Sequence, residues 1–209
     1  MPDIWPAREH SIRKLVLRPD LAVIAAHVAP GARVLDVGCG DGALLAVLRD
    51  AKGVDARGLE IDADNVARAV ARGLSVVQGD ADRDLAAYPD ASFDYAILSQ
   101  TLQTTHAPAR VLDELLRIGG RAFVSFPNFA HWRVRLALLT GGRMPVTRLL
   151  PERWYDTPNI HHVTVADFRD YLRAKGVTME RAWFLAGDQA CSAAGANWFA
   201  EHAVFLVRR

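Results

Sequence analysis

The run Val34-Leu35-Asp36-Val37-Gly38-Cys39-Gly40-Asp41-Gly42 sets a carboxylate just ahead of three alternating glycines. It leads directly into Ala43-Leu44-Leu45-Ala46-Val47-Leu48, a stretch without helix breakers. A strand that runs through glycines into a helix lets the backbone bend sharply and approach a ligand with no Cβ in the way. The helix start adds unpaired N–H groups and the positive end of its dipole. The glycine spacing is GxGxG, whereas dinucleotide-binding turns use GxGxxG. Asp36 stands at the end of the strand, where it would repel a pyrophosphate and attract an ammonium group. Gly38, Cys39, Gly40 and Asp41 are expected around the ligand, with Cys39 as a small packed side chain rather than a reactive thiol.

Two further signals fall at strand ends. Glu60 lies 18 residues beyond Gly42, where an acid can accept hydrogen bonds from both ribose hydroxyls; Ile61 follows it. In Gly79-Asp80-Ala81-Asp82, Asp80 and its neighbour Ala81 are placed to meet an adenine and its amino group. Ser99 and Gln100 follow the fourth strand, beside the expected sulfonium. Gln100 could bind the ligand's carboxylate or a substrate, or simply begin a helix. Taken in order, these residues describe a pocket for an adenosine that carries a charged amino acid, which is S-adenosylmethionine or S-adenosylhomocysteine. Asp36 and the GxGxG spacing disfavour a nicotinamide-dependent oxidoreductase.

The elements that must position these residues alternate regularly. Strands are predicted at Arg33–Val37, 56–60, 74–78, 93–98 and 121–126, and helices at 43–48, 63–72 and 107–117, the last stopped by Gly119-Gly120. An earlier helix is expected after Pro19, with Asp20 as its cap. Alternation of this length implies a parallel sheet covered on both faces, whose strands read as nearly continuous apolar runs. A helix at 166–175 precedes two late strands, 179–185 and 203–208, expected to form an antiparallel edge and separated by a small-residue loop at 190–196. The whole chain, 1–209, is read as one domain, with an N-terminal helical segment at 1–30.

The stretch 127–163 interrupts the pattern. It carries Arg133, Arg135, Arg143, Arg148 and Arg153 with Trp132, Trp154 and Tyr155, against the nearby acids Glu152 and Asp156. Three readings stay open: an anion-reading lid, a protein-docking face, and solvated arginines around a packed tryptophan. Asn128 could cap the following helix or face the pocket. His131, Tyr155 and His161 are the candidates for handling a proton. No metal site is expected, because neither the histidines nor the acids show ligand spacing.

The chain has 209 residues, with 25 Lys+Arg against 24 Asp+Glu. A net charge of +1 gives no electrostatic case for nucleic-acid binding. Ser99-Gln100-Thr101-Leu102 also lacks the Asp/Asn-Pro-Pro-aromatic run of base methylation. No apolar run is long enough for a membrane helix, and residues 1–10 lack a signal-peptide layout. Cys39 and Cys191, far apart and outside any CxxC, fit a reducing cytoplasm.

Five stretches carry a resemblance to the methionine-biosynthesis protein MetW family. They are the Val34–Gly42 run, Gly58-Leu59-Glu60-Ile61-Asp62, residues 94–103, Val124-Ser125-Phe126-Pro127-Asn128-Phe129 with His131-Trp132-Arg133, and residues 141–147 with 154–161. The first two are common to class I methyltransferases; the last three are specific. The resemblance implies a Rossmann-like class I methyltransferase fold with a mostly parallel seven-stranded sheet and an antiparallel last strand. It further implies a role beside a homoserine O-acyltransferase, MetX, whose activity such proteins support. The alternative is an S-adenosylmethionine-dependent methyltransferase acting on a small molecule.

Overall fold

The computed structural model describes residues 17–147 and 150–209. Its framework is one eight-stranded sheet: β1 (Arg33–Val37), β2 (Asp55–Glu60), β3 (Ser75–Gln78), β4 (Phe93–Ser99), β5 (Gly119–Pro127), β6 (Thr178–Ala186), β7 (Gln189–Ala190) and β8 (His202–Arg208). The spatial order is β3-β2-β1-β4-β5-β8-β6-β7. Strands β1 to β5 pair in parallel, and β8 runs antiparallel to both of its neighbours. The chain steps outward from β1 to β3 and then returns to place β4 on the other side of β1. That reversal opens a crevice at the carboxyl ends of β1 and β4, where ligands bind in open sheets of this kind.

Side chains alternate across the strands into two cores. Val34, Tyr95, Ile97 and Phe123 pack with α1 (Pro19–His27) and α2 (Ala43–Lys52), through Ile24, Val28, Leu44 and Leu48. Leu35, Val37, Leu98, Val124 and Phe126 face the opposite way, onto α4 (Pro108–Ile118) and α6 (Val165–Ala174). A strand buried on both faces has no polar side to show, and this is why the central strands read as unbroken apolar runs. Between β2 and β3, α3 (Ala63–Ala71) is capped by Asp62, which accepts from Asn65 N at 2.8 Å.

The structure corrects several expectations. The sheet has eight strands rather than seven, because a two-residue β7 folds back on β6. The two late strands do form an antiparallel edge, as expected, with the last strand as its inner member. It inserts between β5 and β6, and its Ala203-Val204-Phe205-Leu206-Val207 run is wholly buried, whereas β6 carries exposed and partly exposed positions around Glu180. Gly119-Gly120 stop α4, as expected, and also open β5, which begins two residues before the predicted strand; a Cβ at Gly119 would lie 2.7 Å from Ala96 N. Arg18, not Asp20, is the cap position of α1; Asp20 sits inside the first turn and is buried.

The stretch 127–163 contains a helix that the sequence reading did not anticipate, α5 (Trp132–Gly141). Its cap is His131, whose Nδ1 accepts from Arg133 N at 3.4 Å. Asn128, expected to cap or to face the pocket, does neither. Fully buried, it donates from Nδ2 to Ala200 O at 2.9 Å and Ala196 O at 3.3 Å, both in or beside the short helix α7 (Ala196–Phe199). Its Oδ1 accepts from Ala130 N and from Val165 N, the first residue of α6. One amide thus ties the end of β5 to two later helices. Replacing it with the isosteric but apolar leucine strands these buried backbone groups. Asn128→Leu is expected to cost about 2–4 kcal/mol in urea unfolding, with an unchanged m-value.

Candidate functional site

Strand β1 ends at the reversal point, and the turn after it has φ of +73° at Gly38, +57° at Gly40 and +78° at Gly42, left-handed values that favour glycine. Gly38 has a second reason to lack a side chain, since a Cβ there would lie 2.4 Å from Thr101 Oγ1. Gly38 and Thr101 line two adjoining compartments of about 330 Å³ each. The first is bounded by Arg18, Asp36, the glycine turn, Ser99 and Gln100. The second is bounded by Ile61, Asp80, Ala81 and Asp82, with Pro158 reaching in from the 127–163 stretch.

Asp36 is only 2% exposed, and its Oδ1 has no hydrogen-bond partner. Burial pushes its carboxyl up to about 7; Arg18 opposes that rise, while Glu60 and Asp20 add to it. A buried carboxylate in this state is matched by a cationic guest. Glu60 is also buried, and both its oxygens are held: Oε2 accepts from Gly40 N at 2.7 Å and Oε1 from Asp62 N at 2.9 Å. Each keeps a lone pair for a hydroxyl. Cys39 packs toward Gly58, where a Cβ would come within 2.5 Å of its Sγ. Burial, with Asp36 and Glu60 nearby, drives its thiol far above the usual range, so it is packing rather than a nucleophile.

Several expected contacts are already engaged within the protein. Asp41 accepts from Ala43 N at 3.2 Å and pairs with Arg72 at 2.9 Å. Asp82 accepts from His106 N and Ala107 N, in the turn that leads into α4. Asp80 accepts from Asp82 N at 2.8 Å through Oδ1. Ile61, 64% exposed, offers an apolar face to the second compartment. The Ser99 hydroxyl donates to Asp20 Oδ2 at 2.8 Å and accepts from Arg18 at 3.0 Å, and Ser125 donates to the same Asp20 oxygen. Gln100 has φ of +52°, an uncommon conformation for a residue with a side chain, held by its N–H to Ser125 O and by Gln103 donating to its carbonyl.

Sequence reasoning missed Arg18 and Thr101. Arg18 supplies the first compartment with a guanidinium, a group suited to a carboxylate. Nothing in its spacing signals this, because only the packing of α1 against the ends of β4 and β5 brings it there.

His131, Tyr155 and His161 do not converge on either compartment. His131 is the buried cap of α5, and burial lowers its pKa. Tyr155 is exposed, with its hydroxyl accepting from Arg153 at 2.6 Å. His161 lines a separate apolar cavity of about 320 Å³ between α4 and α6, and its Nε2 is buried without a partner. Of the arginines in the 127–163 stretch, Arg133 stacks over Trp132, Arg135 over Trp198 and Arg153 over Tyr155, so they are dispersed rather than gathered on one anion. Arg148 lies outside the described residues. Among the described residues no three His, Cys, Asp or Glu side chains form a metal-ligand group, and no helix is long and apolar enough to cross a membrane.

A family model described as "Methionine biosynthesis protein MetW" matches residues 18–207. A protein of Rhodopirellula baltica, "Bifunctional methionine biosynthesis protein MetXA/MetW", is 35% identical over 184 residues, covering 84% of this chain and 30% of that one. A "Ubiquinone biosynthesis O-methyltransferase" of Xylella fastidiosa is 36% identical over 159 residues, covering 72% of this chain and 62% of its own. The chain thus spans less than two thirds of the length of either relative. Among solved structures, a chain in the complex between the Haloferax volcanii Trm112 methyltransferase activator and its putative methyltransferase superposes with a TM-score of 0.67 at 20% identity, covering 97% of this chain and 92% of that chain. An S-adenosylmethionine-dependent methyltransferase from Mesorhizobium loti gives 0.64 at 20% identity, with coverages of 95% and 96%. The fold is that of the Rossmann-like methyltransferases.

The raised pKa of Asp36 has a defined pH signature. Below about pH 4 its carboxyl is protonated in both folded and unfolded chains. Between there and about 7 only the folded chain keeps the proton, so the contribution of this group to stability falls as pH rises, and above 7 the loss is complete. Asp36→Asn removes that cost. The ligand-free variant is expected to melt roughly 5 °C above the parent at pH 8 and level with it near pH 4, by scanning calorimetry. Equal melting temperatures at both pH values would show that Asp36 is not a strained carboxylate.

Proposed function

Because the chain belongs to the MetW family of methionine biosynthesis proteins, we propose that it binds S-adenosylmethionine and, in the cytoplasm, binds and activates a homoserine O-acyltransferase (MetX). The observation that carries the first half is the buried Asp36 carboxylate with an unpartnered oxygen, in the same compartment as Arg18. In this reading Asp36 holds the ligand's ammonium group and Arg18 its carboxylate. Glu60 takes the ribose hydroxyls, and Ile61, Asp80 and Ala81 border the adenine. Gly38, Gly40 and Thr101 shape the floor between the two halves of the ligand. When bound, the group supplies an activated methyl on a sulfonium.

The second half is supported by the Rhodopirellula relative, whose printed name joins MetXA and MetW in one chain. It is also supported by the cleft, which none of His131, Tyr155 and His161 lines. A ligand that favoured the acyltransferase-bound or the free form would regulate the partner, and the partner would change ligand affinity by the same factor. The alternative, methyl transfer to a small molecule, draws on the Xylella relative and on the apolar cavity at His161.

Calorimetric titration of S-adenosylmethionine into the purified protein, with and without purified homoserine O-acyltransferase and with acyltransferase rate recorded, separates these readings. Micromolar binding together with a changed acyltransferase rate is expected. Asp36→Asn should weaken binding at least about tenfold, the loss of one charge-assisted contact. Binding with no effect on the acyltransferase would favour methyl transfer, and absence of binding would remove the ligand reading altogether.

A further inference from the structure

Helix α5 has apolar residues on opposite sides. Its single buried residue, Val134, packs with Phe129 and Leu150, and this small cluster fixes which side faces the protein. At 100° per residue, Trp132, Leu136 and Leu139 fall in one stripe on the far side from Val134. Their exposures are 38%, 50% and 85% among the described residues. Met144 and Trp154, also exposed, do not extend the stripe: they line a cavity with Phe129 and Leu150, on the side that Val134 faces. An exposed apolar stripe on a folded chain marks an interaction site. Arg133 borders it, its guanidinium over the Trp132 ring at 5.3 Å. A Trp- and Leu-rich centre with an arginine beside it calls for a partner surface that is apolar at its centre and carries an acid at its margin.

We propose that this outward stripe of α5, Trp132, Leu136 and Leu139, is the surface on which the homoserine O-acyltransferase docks. The inference rests on the partner reading above and adds the place of contact. The occupant is argued from the Rhodopirellula chain, in which the region matching this protein takes up 30% of a polypeptide that also carries the MetXA name. Two units tied in one chain meet at a high effective concentration, and a surface kept apolar on the MetW side is what such a meeting uses. The cofactor cleft is not part of the stripe: no stripe residue lines either compartment.

The test is interferometry with immobilised homoserine O-acyltransferase from the same organism and the full-length protein in solution. The parent is expected to bind saturably. Leu136→Asp combined with Leu139→Asp should weaken binding by roughly a hundredfold, as loss of a hot spot does. S-adenosylmethionine affinity and melting temperature, measured on the same sample, should match those of the parent, since both side chains stand in solvent. A double variant that binds the acyltransferase as well as the parent overturns the surface and leaves the partner reading standing. A parent that fails to bind at all overturns the partner reading and the surface with it. A parent that sediments as a dimer and becomes a monomer in the double variant, with acyltransferase binding intact, would assign the stripe to a second copy of this chain instead.

Discussion

Asp36 closes the central strand with its carboxylate out of water and one oxygen out of reach of any donor. Much of the surrounding structure bears on that one charge. The strand order reverses beside it, so that two adjacent strand ends diverge and leave room for a guest. The glycine turn bends away instead of capping the carboxylate. Arg18 comes close enough to moderate the charge, but its own hydrogen bond goes to Ser99 and its ion pair to Asp20. A folded protein tolerates an unmatched buried charge only when the rest of the fold is rigid enough to enforce it. The two apolar cores on either side of β1 and β4 supply that rigidity.

The fold was legible because two-sided burial writes itself into composition. Strands such as Ala96-Ile97-Leu98 and Phe123-Val124 alternate between two cores, so both sets of positions must be apolar, and the glycines and prolines between them mark the turns. The position of β8 was legible too, but was not read. An unbroken apolar run belongs in the middle of a sheet, and a strand bearing Glu180 and Arg181 belongs nearer its rim. Helix α5 was obscured because it has apolar residues on both sides, which erases the amphipathic period that identifies a helix.

In the site, some residues stand where local sequence marks a strand end, and others are brought in by topology alone. Asp36 and Glu60 stand at strand ends in a recognisable order. Arg18 enters from a helix some eighteen positions upstream, and no spacing rule connects it to Asp36. Asp41 and Ser99 line the first compartment and also hold partners within the protein, whereas Asn128 is wholly taken up by backbone groups. Through Gln103, whose carbonyl accepts from both Ile160 N and His161 N, the 127–163 stretch is fastened to the segment that walls the cleft.

The insertion of β8 between β5 and β6 bears on how the chain is made. A ribosome delivers residues 202–208 after every other strand of the sheet has already emerged. Until then β5 has an unpaired edge, and β6 with its short β7 partner has no strand linking it to the sheet. The nascent protein thus carries an open β5 edge from residue 127 until β8 is made, and a second open edge on β6 from residue 186, the state most prone to pairing with a neighbouring chain. Closure comes in one late step, when β8 zips against both strands at once. Truncation ahead of His202 would therefore do more than shorten the protein: it would split the sheet between β5 and β6.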